Sequence, residues 1–285
     1  MHKPDRKIAK ADIILLSITL IWGSTFVIVK NALHFISPLL FQGIRFGIAS
    51  VIVGLFTWKH IRAAKIEAVK QGMILGIFLG VGFALQTIGL QVTTASKSAF
   101  ITGFMVVLVP IFQLVIEKRR PTRGNVVGVF FVAIGLYLLT SPAGSQVNTG
   151  DVLTLGAAII FAVYIVYLDI YTKESFPREI VFYQMLVTSV LGFIFAPLLE
   201  NSFIIPDSSM LLALLYTAIF ASAMNTFLQS KYQRDSSPVR AAVIFAMEPV
   251  FAAVLAVLML HEAFTAASFL GAGMIITGLL ISELT

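Results

Sequence analysis

Two charged side chains stand deep inside apolar stretches of the sequence: Glu248 in the run 237–260 and Arg45 in the run 36–58. An ionised group at the centre of a bilayer-spanning helix costs about 2.5 kcal/mol or more, so such a residue is a functional candidate whose partner must be named. Glu248 falls eleven residues into its run and is a candidate for binding and releasing a proton or a cation. Arg45 presents a planar fork of donors and is a candidate for gripping a substrate carboxylate. A structural reading stands beside both: the two pair with each other, or with backbone carbonyls, and merely tie helices together.

Pro110 and Pro249 also interrupt apolar runs, each removing one backbone donor and releasing the carbonyl four residues earlier, at Val106 and Phe245. They are hinge candidates, and a carbonyl freed beside Glu248 suits a polar cavity; a kink used only for packing is the plainer alternative. Gln86 and Asn225 are candidate substrate contacts, although amides also hydrogen-bond helices to one another. Trp22, Phe104, Tyr164, Tyr183 and Phe245 are candidates for lining a solute pocket, which is typically an apolar wall with a few placed polar groups. With 24 Phe in the chain, packing competes for every aromatic position. His2, His34, His60 and His261 sit near the ends of apolar runs without metal-ligand spacing, so neither a metal nor a cofactor is expected. No Gly-x4-Gly-Lys-Ser/Thr loop is present, which argues against ATP hydrolysis. No nucleophile and base cluster as an intramembrane enzyme requires, and no ring of like polar groups marks a channel; these are the rival functions.

The elements that position these residues follow from composition. Of 285 residues, 58% are hydrophobic and 12% charged, against roughly 45 to 50% and about 25% for a soluble domain. Apolar runs of membrane-spanning length recur along the chain and predict an all-α integral membrane protein of ten transmembrane helices. The expected spans are 13–31, 36–58, 71–91, 96–116, 124–140, 152–171, 179–199, 209–229, 237–260 and 264–284. The first run reads as a span, since it is longer than a signal-peptide core and no small-residue cleavage pattern follows it. The absence of cysteine excludes disulfides and thiol chemistry.

Of the 20 Lys and Arg, all but Lys30, Arg45 and Lys97 fall on one side of this scheme, in alternate loops and at the N-terminus. Loops rich in positive charge stay cytoplasmic, which places both termini there. The net charge of +6 therefore reports topology and gives no groove for nucleic acid. Lys59 to Lys70 reads as a short interfacial segment drawn to anionic headgroups.

The two halves of the chain align at a shift of 139 residues, which brings Asp12 onto Asp151, Arg45 onto Gln184, Gln86 onto Asn225, Ser98 onto Ser237 and Pro110 onto Pro249. Later, Gly128 matches Gly271 and Gly135 matches Gly278 at a shift of 143. Two five-helix domains are expected, 12–140 and 151–284, joined by the uncharged Pro/Gly/Ser/Asn-rich linker 141–150. Because each contains an odd number of spans, the second must be inverted relative to the first. Inverted repeats recur in secondary transporters, where the site lies near mid-membrane between the halves. Gly72, Gly76 and Gly80, with the paired glycines of the fifth and tenth spans, suit close helix approach.

The segment from Ser237 through Arg240 and Phe245 to Met247-Glu248-Pro249, the later Leu260-His261-Glu262, and the closing Gly271 to Gly278 resemble an EamA-type member of the drug/metabolite transporter superfamily. Trp22-Gly23-Ser24, and Thr93 to Thr102 running up to Pro110, resemble the first EamA copy. The likeness departs after Pro110, where Glu117-Lys118-Arg119-Arg120 shortens the first copy. It implies a multi-pass permease of a bacterial inner membrane, an exporter of amino acids, related metabolites or drugs by alternating access. The expected partners are a small-molecule substrate and lipid, with the protein a monomer or weak homodimer.

Overall fold

The structure is a computed structural model that describes residues 6–140, 147–260 and 266–284. His2, His261, Glu262 and most of the linker lie outside the described residues. The described residues are almost wholly helical: α1 Arg6–Ala32, α2 Pro38–Arg62, α3 Ile66–Val92, α4 Ala95–Gly103, α5 Met105–Ile116, α6 Arg123–Thr140, α7 Thr149–Glu174, α8 Pro177–Leu199, α9 Ser208–Tyr216, α10 Asn225–Tyr232, α11 Pro238–Phe245, α12 Glu248–Leu260 and α13 Ala266–Leu284. A π-helical stretch, Thr217–Met224, joins α9 to α10. Eight stretches are long and apolar enough to cross a membrane, and two shorter apolar helices, Arg123–Leu138 and Phe269–Ser282, occupy the fifth and tenth expected places.

Local chemistry sets the helix starts. Pro38, Pro177 and Pro238 open α2, α8 and α11, where a missing N–H leaves nothing unpaired. Thr94 and Ser237 cap α4 and α11 by accepting from the backbone N–H of Lys97 and Arg240, each at 3.2 Å. Asn148 and Asp151 form a reciprocal capping box on α7, with both bonds at 3.0 Å. Asp207 caps α9 from outside the spans, and its bonds from Ser209 hold its carboxyl below the usual carboxylate range. The shortened stretch after Pro110 ends cleanly, because Lys118 turns left-handed (φ 56°) just beyond α5.

The halves interleave. α2 packs on α8, α3 lies between α7 and α8, and α6 runs against α13. Glycines make these approaches possible: a Cβ added at Gly278 would lie 2.6 Å from the Gly128 carbonyl oxygen, and one at Gly135 would lie 2.7 Å from that of Gly271. Gly72, Gly76 and Gly80 likewise face the α8 backbone and its side chains from α3.

Two of the long apolar stretches are broken. The chain leaves the helix at Phe104, between α4 and α5, and at Ala246–Met247, between α11 and α12. Pro110, the hinge candidate of the first half, lies inside α5, and the break comes six residues earlier. In the second half the break immediately precedes Glu248 and Pro249, which form the first turn of α12.

Candidate functional site

A cavity opens among α1, α3, α4, α5, α7, α10 and the α11–α12 break. It holds about 590 Å³ of atom-free space, its open mouth included. α3 contributes Leu79, Phe83 and Gln86, one helical stripe at intervals of four and three residues. α7 contributes Phe161, Tyr164 and Ile165 from one face, and α10 contributes Thr226 and Gln229. Trp22 and Thr25 of α1, Thr102 and Met105 beside the first break, and Phe245 and Glu248 beside the second complete the wall.

Glu248 is 9% exposed, and no side-chain hydrogen bond to its carboxylate is formed among the described residues. The α11–α12 break makes Glu248 the first residue of α12, with Pro249, which has no N–H, directly after it. Gly23 lets α1 approach closely there, since a Cβ would meet the Glu248 carbonyl oxygen at 2.8 Å and Phe251 Cβ at 2.9 Å. Gly103 brings the first break to the same place, its Cβ position being 3.3 Å from Pro249 Cγ. The two broken helices therefore meet at the cavity.

The π-helical stretch shapes the adjoining side. Trp22 Nε1 donates to the Ala221 carbonyl at 2.9 Å, and Arg45 Nε donates to Ser222 Oγ at 2.8 Å. Wide π turns of this kind recur at functional sites. Trp22 then meets Phe245 edge to face, with ring centroids 5.3 Å apart.

Of the residues expected from sequence, Trp22, Gln86, Tyr164, Phe245 and Glu248 line this cavity. Arg45 does not. Its guanidinium is buried with the rings of Phe46 and Phe83, 5.0 and 4.9 Å away, and is bonded to Ser222. In this arrangement its fork is not held out to the cavity, and it does not pair with Glu248 either. Asn225 is turned away to donate to the Ile18 carbonyl at 2.9 Å, whereas its counterpart Gln86 donates to Thr102 Oγ1 at 3.0 Å. Tyr183 reaches the Ile61 carbonyl at the far end of α2, 3.4 Å away. Phe104 is 38% exposed at its helix break. Neither Tyr183 nor Phe104 is on the wall. Sequence reading missed Phe83, Phe161, Thr102 and Gln229; Phe83 and Phe161 are each three residues from an expected wall residue, a spacing that would have found them.

The EamA-like transporter family matches the chain twice, over residues 9–141 and 148–284. An uncharacterized transporter of Archaeoglobus fulgidus is 35% identical over 274 residues, covering 96% of this chain and 86% of that one. The uncharacterized transporter YoaV of Bacillus subtilis is 26% identical, covering 95% and 96%. A probable amino-acid metabolite efflux pump of Escherichia coli is 24% identical, covering 96% and 94%. One solved crystal structure superposes with a TM-score of 0.80 at 18% identity, covering 97% of each chain, a likeness of fold. The apolar helices and these matches define a multi-pass membrane transporter. The chain belongs to the EamA-like transporter family, within the drug/metabolite transporter superfamily.

Proposed function

We propose that this transporter is a secondary carrier that exports small metabolites of the amino-acid or drug class from the cytoplasm by alternating access, with Glu248 carrying a coupling proton. The observation that carries this reading is the carboxylate of Glu248 at the α11–α12 break, which faces the cavity with no hydrogen-bond partner among the described residues. The efflux-pump name of the Escherichia coli relative supports export. In this reading ten spans form two inverted units, 12–140 and 151–284, both termini face the cytoplasm, and the membrane is the inner membrane of the cell.

A pair of ion bridges supports the inversion. Arg240 Nη2 meets Asp12 Oδ2 at 2.6 Å, and Lys97 Nζ meets Asp151 Oδ2 at 2.6 Å. Each base is the third residue of a capped segment before a helix break, each acid lies near the start of the first long helix of its unit, and the two bridges sit at opposite ends of the bundle. Closure at one end and opening at the other is what alternating access requires.

The test is counterflow in proteoliposomes. Wild-type protein should exchange labelled for unlabelled substrate and move it uphill on an imposed pH gradient. Glu248→Gln, folded and reconstituted to the same level, should lose the gradient-driven component; unchanged uphill transport would end the proton-carrier reading, and conductance without counterflow would favour a channel.

A further inference from the structure

The cavity offers no charged donor and one carboxylate. Trp22 Nε1 is spent on Ala221, and Gln86 Nε2 and Gln229 Nε2 each give one of their two N–H groups, to Thr102 Oγ1 and to Gln233 Oε1, both at 3.0 Å. The Tyr164 hydroxyl donates to Gln184 Oε1 at 3.3 Å. Arg45, the cation that could have served an anionic group, is held by Ser222 and two rings. The hydroxyls of Thr102 and Thr226 and the second N–H of each amide are the neutral donors left on the wall. Against them stands Glu248, the one Asp, Glu, Lys, Arg or His among the lining residues.

The remaining wall is aromatic. Trp22 and Phe245 meet at 70°, as do Phe83 and Phe161, both with centroids 5.3 Å apart. A ring face attracts a cation, and the Phe83 ring already carries the Arg45 guanidinium 4.9 Å from its centroid, which leaves the Trp22–Phe245 pair for a ligand's charge.

We propose that the site selects an amphipathic organic ammonium that lacks a carboxylate, with the ammonium on Glu248 and the apolar body against the Trp22–Phe245 and Phe83–Phe161 pairs. The proposal rests on reading this cavity as the substrate site and narrows the amino-acid or drug class to its amines. A carboxylate placed here would be desolvated without a charged donor and would stand near Glu248, and a buried charge without a partner is strongly disfavoured. An ammonium gains a charge-assisted hydrogen bond and ring contacts together.

The chain carries two tryptophans, and Trp58 is 58% exposed on the outer surface of α2. Trp58→Phe therefore leaves Trp22 as a fluorescence reporter inside the cavity. The purified variant in lipid nanodiscs at pH 7 is titrated with 2-phenylethylamine, phenylalanine and 3-phenylpropionate, three ligands of similar shape and different charge. The amine should produce a saturable change and bind about tenfold or more tighter than phenylalanine, with 3-phenylpropionate weaker still. Glu248→Gln in the same background should bring the amine and amino acid within about twofold of each other. If that variant fails to fold, Glu248→Asp, which withdraws the carboxylate by one methylene, should weaken the amine alone. Equal or tighter binding of either carboxylate ligand, a preference that survives at position 248, or no binding of any of the three at millimolar concentration overturns the proposal. Binding is read without transport, so amine selectivity with failed counterflow sinks the carrier reading and leaves this one standing. Counterflow of a carboxylate ligand does the reverse.

Discussion

Arg240 grips Asp12 with two donors, Nη2 to Oδ2 at 2.6 Å and Nε to Oδ1 at 3.2 Å, across 228 residues of sequence. The fork fastens α1 to the start of α11, and both side chains are largely shielded from solvent. If this bridge closes one end of the transport path, Asp12→Asn should favour the state open at that end. The chain contains no cysteine, so a single Gln229→Cys reports the cavity without background. Maleimide labelling from the Arg240 end should accelerate several-fold in Asp12→Asn, because a largely buried charge that has lost its partner costs about 3 to 5 kcal/mol. The swap Asp12→Arg with Arg240→Asp should restore the slow rate. Labelling unchanged by Asp12→Asn would mean that the bridge is not a gate.

The bridge at the opposite end should act in the opposite sense. Lys97→Gln should speed labelling of the same cysteine from the Lys97 end and slow it from the Arg240 end, because Asp151 then loses its 2.6 Å partner. A variant that opens both ends together would rule out alternation.

Arg45 should matter for stability and little for recognition. Removing it loses a buried charge-assisted bond to Ser222 and two ring contacts, about 1.5 to 3 kcal/mol for the bond alone. Arg45→Ala should therefore melt roughly 5 °C lower, at about 2 to 4 °C per kcal/mol for a chain of this order of size. Its affinity for amine ligands should stay within about twofold of wild type, and a large loss of binding would return Arg45 to the site.

Tyr183 and Tyr164 separate packing from recognition in the same way. Tyr183→Phe removes a hydroxyl at the end of α2 and should leave KM unchanged. Tyr164→Phe removes a buried hydroxyl on the cavity wall and frees the Gln184 amide oxygen, so KM should move. The pair of transport assays decides which tyrosine the substrate feels.

Gly278→Ala should be costly and Gly273→Ala nearly neutral. The first places a Cβ 2.6 Å from a backbone oxygen that cannot turn aside, whereas a Cβ at Gly273 has nothing within 4 Å. Overpacking of this kind costs about 1 to 3 kcal/mol. Thermal melting of the two variants in detergent checks the contrast.

Much of the helical frame was legible because spanning helices obey one strong constraint, an apolar run of fixed length between charged loops. Glu248 and Pro249 announced their helix break in the same way, since a carboxylate and an absent N–H are both anomalous inside such a run. The break at Phe104 gave no such signal. It lies where Gly103 packs against Leu136 and Pro249, so it is set by a distant helix and not by local propensity. The surroundings of Arg45 were hidden for a related reason: its partner Ser222 is 177 residues away on a π-helical turn that no periodicity marks. Gln86 and Asn225 match in the alignment of the halves, yet one faces the cavity and the other holds α1, because the two units pack different neighbours.

The seam between α6 and α13 runs backbone against backbone at Gly128–Gly278 and Gly135–Gly271. Sliding α6 along α13 would drive side chains into these backbone oxygens, and Ser282 Oγ donates to Asn125 Oδ1 across the same seam at 3.0 Å. The pair should therefore move as one stiff rod. In the proposed transport cycle, the lipids wetting the outer face of that rod, along Phe130, Tyr137 and Ile276, would meet the same surface before and after. The energy of turnover then need not include dragging this part of the annulus along.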